Sequence, residues 1–156
     1  MRFHAPRSLI VTAAAALAAA GLAAAAQAGS TTVVTTKSTS LGTILVTSAG
    51  RTLYLDTHDK PPKFACTGAC LRAWPPLKAV GSLTAAGSAK RSLLGTSKGP
   101  AGKVVTYAGH PLYTFASDTR SRPTSGEGVN GFYAVSPSGA KVTSHKFKPP
   151  SGGQGY

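Results

Sequence analysis

Acidic residues are nearly missing from this chain. Of its 156 residues only Asp56, Asp59, Asp118 and Glu127 carry a carboxylate, against 17 lysines and arginines, a formal net charge of +13. No carboxylate pair, phosphate-binding glycine loop or zinc-ligand cluster is present, so the usual hydrolytic and nucleotide-dependent chemistries have no residues to run on. Cysteine is equally sparse, with two, and there is a single tryptophan. After residue 28 no apolar run approaches transmembrane length. Helix-forming stretches are few, because glycine and proline interrupt almost every segment.

What is present begins with an export signal. Arg2 and Arg7 precede an apolar, alanine-dominated run from Leu9 to Ala26, and Ala26-Gln27-Ala28 has the small-x-small pattern of a signal-peptidase site. A retained membrane anchor is the alternative, since the run is about long enough to span a bilayer; the polar Gly29-Ser30-Thr31-Thr32 that follows favours secretion. Beyond residue 28 remain 15 basic and 4 acidic residues, a net charge of +11. The expected location is extracellular or in the cell envelope. The partners such a charge implies are an anionic envelope polymer or a lipid surface. The cations are scattered singly, without an arginine-rich run or interleaved aromatics, so specific nucleic-acid recognition is not expected. No transmembrane segment is expected after signal cleavage.

The segment 29–40 is Ser/Thr-rich and reads as a linker or a weak first strand. The tail at 148–156 holds nothing to bury and reads as disordered. Between them, 41–147 reads as short strands separated by turns. Ile44–Val46 and Leu53–Leu55 flank one hairpin, and Val104–Tyr107 and Leu112–Phe115 flank another. Gly50 and Gly109 stand where each turn needs a positive φ. A third hairpin runs from Phe132–Val135 through Pro137-Ser138-Gly139 to Lys141–Thr143. One helical turn is expected over Gly68–Ala73, and a second, weaker one over Ser82–Ser92. The expected fold is mainly β: a small β-rich domain of two related halves, about 41–100 and 101–147.

The halves announce themselves in an echo. Gly50 to Asp59, "GRTLYLDTHD", recurs as Gly109 to Asp118, "GHPLYTFASD", with Gly, Leu, Tyr and Asp each displaced by 59 residues. Fifteen residues past Asp59 stands Trp74, and fifteen past Asp118 stands Tyr133. With these residues the chain resembles a family of secreted proteins and lipoproteins built on a tandem repeat with the motif Tyr-x-(aromatic)-x-x-Asp, which has no established biochemical function. Tyr113, Phe115 and Asp118 meet the whole motif. Tyr54 and Asp59 keep its ends, with Asp56 in the aromatic position. No lipid-attachment cysteine follows the apolar run, which marks a soluble secreted member. Physically, the motif places Tyr113 and Phe115 on one strand face and Asp118 past the strand end, where it accepts backbone N–H bonds. The other reading is a shared ligand site lined by the two Tyr/Asp pairs across a pseudo-twofold axis.

Cys66 and Cys70, four apart in an exported chain, are expected to form a disulfide. The alternative is a copper or zinc site, or a thiol-redox pair, using both thiolates with His58 or His110. Gly95–Gly99 matches the nucleophile-elbow string G-x-S-x-G but lacks the strand and helix around it, and reads as a solvent loop. Trp74 reads as core, with a sugar-stacking platform as a minor alternative. No cofactor and no enzymatic activity are expected, and the sequence sets no oligomeric state. If the export reading holds, N-terminal sequencing of protein from the culture medium starts at Gly29. Recovery of the intact chain from membranes alone would overturn it.

Overall fold

The computed structural model describes Met1 and residues 29–143. Met1 apart, the export signal expected over 1–28 lies outside them, as does the tail 148–156. Among the described residues the strands are β1 (Thr31–Thr39), β2 (Gly42–Thr47), β3 (Tyr54–Asp56), β4 (Ser82–Ala85), β5 (Leu94–Gly99), β6 (Gly102–Tyr107), β7 (His110–Pro111) and β8 (Phe132–Ala134). Among the same residues helix is confined to α1 (Cys70–Ala73) and to single 3-10 turns at Arg91–Leu93 and Val129–Gly131. The domain is mainly β, as its alternating, turn-punctuated sequence implies.

Two hairpins open the two halves. β1 and β2 turn between Thr39 and Gly42, and β5 and β6 turn at the matching place between Gly99 and Gly102. Dividing the chain at 41 and 101 passes through both hairpins, so the structural repeat starts with β1 and β5. The Ser/Thr-rich stretch 29–40 is therefore a strand and not a linker. Its β-branched residues favour extended backbone, and β1 is paired on both sides, antiparallel to β2 and parallel to β4. That parallel partner replaces the helical turn expected over Ser82–Ser92. Gly81 and Gly87, both at φ 62°, bracket β4, leaving only Arg91–Leu93 helical. The Gly95–Gly99 string likewise lies in a strand, β5, rather than in a loop.

Gly50 and Gly109 take positive φ at their turns, 78° and 83°. The third hairpin closes with Gly139 N–H donating to the Ser136 carbonyl and Val142 N–H to that of Ala134.

The halves are joined by a reciprocal backbone pair: Tyr54 N–H donates to the Tyr113 carbonyl and Tyr113 N–H to that of Tyr54, both at 2.9 Å. Around this point the bonds come in twos. Leu45 N–H reaches the Val135 carbonyl as Val105 N–H reaches that of Leu77, and Val135 N–H reaches Leu53 as Leu77 N–H reaches Leu112. Each repeat thus completes its sheet with strands from the other. β3 pairs with β8, while Tyr113 bridges Pro76.

Side chains alternate across this central layer into two cores. Leu53, Leu55, Leu112, Val105 and Tyr107 fill one, and Tyr54, Tyr113, Trp74 and Phe132 fill the other.

Candidate functional site

The second core holds the repeat motif, and its tyrosines reach across. Tyr54 Oη donates to Asp118 Oδ2 at 2.8 Å, and Tyr113 Oη donates to Asp59 Oδ2 at 2.7 Å. Both phenols are buried. Each carboxylate also ties down a loop after its own repeat. Asp59 Oδ1 accepts Ala65 N–H at 2.7 Å, and Asp118 Oδ1 accepts Ser125 N–H at 2.9 Å together with the Ser125 hydroxyl. The expectation that aspartate accepts backbone bonds holds. The sequence did not disclose that each tyrosine's partner lies in the other half.

Burial first, then the facing carboxylate, pushes both phenols far above the ordinary tyrosine value. Burial also raises Asp59, against the lowering effect of its Ala65 and Tyr113 bonds.

Between the pairs lies an aromatic stack. Trp74 lies flat on Phe132, centroids 3.8 Å apart and planes at 4°, and Phe115 covers its other side at 4.3 Å. Trp74 is 2% exposed, which makes it core rather than a sugar platform. Its counterpart in the second half is Phe132, not Tyr133, because Phe115 lies opposite Trp74 where Asp56 lies opposite Phe132. The segment between motif and ring is one residue shorter in the second half, and a shift of one swaps sheet faces. Tyr133 instead points outward, beneath the Lys141 ammonium.

At the position of the first motif's missing aromatic, Asp56 is buried. Its Oδ1 accepts His58 N–H at 2.9 Å and meets the largely exposed His58 ring at Nδ1, 2.8 Å away. Glu127, unmarked in the sequence reading, is buried and accepts Ala134 N–H at 2.7 Å; burial raises its pKa. The signal for it was the scarcity of acids itself. The matching position to Ala134 in the first half is Pro76, which has no N–H to satisfy, and that half has no corresponding acid.

Cys66 and Cys70 form a disulfide, Cα–Cα 5.4 Å. A copper or zinc site on two thiolates thereby loses its donors, and among the described residues no three His, Cys, Asp or Glu side chains converge on a metal position. His58 sits with Asp56, away from the disulfide in the hydrogen-bond network, and buried His110 Nδ1 has no hydrogen-bond partner among the described residues.

The charges are segregated. Every lysine and arginine from residue 29 to 143 is exposed, whereas Asp56, Asp59 and Glu127 are buried and Asp118 is half-buried. Among the described residues no lysine or arginine pairs with a carboxylate, and the one contact at salt-bridge distance is the His58 ring with Asp56, an ion pair only when the imidazole is protonated.

This architecture, a mainly β domain of two interlocked repeats, accords with the family comparison. The chain belongs to the family described as a secreted repeat of unknown function, which matches it twice, over residues 35–78 and 95–135. No curated protein and no solved structure matches it.

Crossed pairing fixes which variants couple. In double-mutant cycles by chemical denaturation, Tyr54→Phe with Asp118→Ala and Tyr113→Phe with Asp59→Ala each give a coupling of about 1–2 kcal/mol, while Tyr54→Phe with Asp59→Ala adds within about 0.5 kcal/mol. Coupling confined to the residues of one repeat would contradict the crossing.

The raised phenols also set a pH limit. A group whose pKa rises on folding contributes stability that is complete below its unfolded value and is lost as pH climbs toward the folded one. For Tyr54 and Tyr113 that loss starts near pH 10, so Tm falls steeply above it. The Tyr54→Phe/Tyr113→Phe protein has a lower Tm at neutral pH and a flatter alkaline limb; an unchanged limb would refute the assignment. Asp59 and Glu127, raised in the same sense, contribute most below about pH 4 and lose that contribution as pH rises, so neither drives acid unfolding.

Proposed function

We propose that this protein is a non-enzymatic binding module of the cell exterior that attaches to anionic envelope polymers or surfaces through its cationic surface. The observation that carries this reading is the segregation of charge. With its carboxylates turned inward or occupied, the folded domain has almost no acidic surface to cancel its lysines and arginines. A field of one sign draws polyanions from a distance and falls off with the Debye length. What supports a non-catalytic role is the fate of the reactive groups. The motif carboxylates are taken up by internal bonds, and among the described residues no serine or threonine hydroxyl is hydrogen-bonded to a histidine.

The test is co-sedimentation with cell-wall fragments and with anionic vesicles across a salt series. Binding weakens steeply toward about 0.5 M salt, where the Debye length is roughly 4–5 Å. Binding that ignores salt, or that is as strong on neutral vesicles, would defeat the reading.

A further inference from the structure

The turn between β2 and β3 and the loop after the second motif line an open groove of about 630 Å³. Three cations line it, Lys37 on β1, Arg51 at the turn and Arg120 on the loop, together with the small residues Ala49, Gly50 and Pro123. Two internal bonds hold the walls in place. The Arg51 guanidinium donates to the Phe115 carbonyl at 2.8 Å, and the buried Thr52 hydroxyl donates to the Pro123 carbonyl. One Arg51 donor is thereby used, and the guanidinium keeps the rest of its fork. The only carboxylate in the groove is Asp118. Its Oδ2 faces Tyr54 and its Oδ1 faces Ser125, so no cation lining the groove is needed to satisfy it.

The repeat supplies a built-in comparison. The β1–β2 and β5–β6 registers place Ser97 where Lys37 stands, and the motif alignment places His110 at Arg51 and Pro61 at Arg120. The matching loop keeps lysines, Lys60 and Lys63, but neither position matching Lys37 and Arg51 holds a lysine or arginine. One repeat folds without this triad, so the fold does not require it.

We propose that the groove lined by Lys37, Arg51 and Arg120 is a binding site for a phosphate group, carried by a repeating polyol-phosphate unit of an anionic polymer. A planar guanidinium fork with a further ammonium and guanidinium in the same groove is the chemistry that recognises a phosphate. The volume accommodates the phosphate with its polyol. A hydrated polymer is favoured over a bilayer because Val80 is the one large hydrophobic residue exposed between residues 29 and 143, and interfacial binding needs an apolar face. The site deepens the polyanion-binding reading above and can be tested apart from it.

Amide shifts of the ¹⁵N-labelled protein are followed while glycerol phosphate, glucuronate and then a short poly(glycerol phosphate) are added at about 150 mM salt, where the Debye length is about 8 Å. Saturable shifts confined to 37, 49–51 and 118–123 are expected with both phosphate probes. Lys37→Ala/Arg120→Ala weakens both about tenfold or more, as the loss of two charge-assisted contacts implies. Lys90→Ala/Lys98→Ala, which removes the same charge from exposed positions elsewhere, stays within about twofold. Equal weakening by the two double variants overturns the site and leaves the surface reading standing. Glycerol phosphate binding in the groove without any polymer or wall binding keeps a phosphate site, overturns its assignment to a polymer and ends the surface reading. Glucuronate binding as tightly overturns the phosphate assignment. Groove-dependent binding to phosphatidylglycerol vesicles but not to the polymer replaces the polymer with a lipid headgroup.

Discussion

Two phenol–carboxylate bonds that cross between the repeats hold the rest of the domain in register. Each joins a strand of one half to the loop anchor of the other. Each aspartate, thus oriented, fixes the loop that carries the next part of the core: Ala65 beside the disulfide, Ser125 beside Gly126. A methyl group on Gly126 would stand 2.8 Å from the Trp74 ring, so the position of this loop decides whether the aromatic stack closes. In a buried setting such bonds are strong, and their loss would leave both a charge and a hydroxyl unsatisfied. That is reason enough for tyrosine and aspartate to recur together in a chain so poor in acids.

Around this shared frame the halves differ where each solves a local problem in its own way. Phe115 continues the stack, whereas Asp56 ends it and binds the backbone before His58. Pro76 removes a donor that in the second half requires Glu127. A disulfide braces one loop, and a close-packed glycine stands in the other. These differences lie at the ends of the central layer, and the interlocked middle is nearly the same in both.

Much of this was legible in the sequence. The hairpins were written in alternation and in Gly50, Gly109 and Gly139, the helical turn in the prolines after Trp74, and the duplication in the echo. What escaped was long-range. Tyrosine and aspartate five apart in one repeat look like partners, yet a strand and the turn past its end point differently, and pairing is settled by whichever strand the other half brings alongside. The slip from Tyr133 to Phe132 came from a one-residue change in loop length, invisible to fixed spacing and decisive for side-chain direction. β1 was underrated because its hydroxyl-rich sequence has little to bury; its stability comes from partners on both edges. The groove cations gave no signal, since Lys37, Arg51 and Arg120 are far apart in the chain.

The interlocking has a consequence for the order in which the chain can assemble. Tyr54 comes early in the chain, but its acceptor follows 64 residues later, and β3 has no partner from the other half until Tyr113 and then β8 arrive. Each half has a three-stranded sheet of its own, but neither completes the central layer alone. In a chain that emerges N-terminus first, both crossed bonds and the layer they span therefore form only after residues 113–134 have followed.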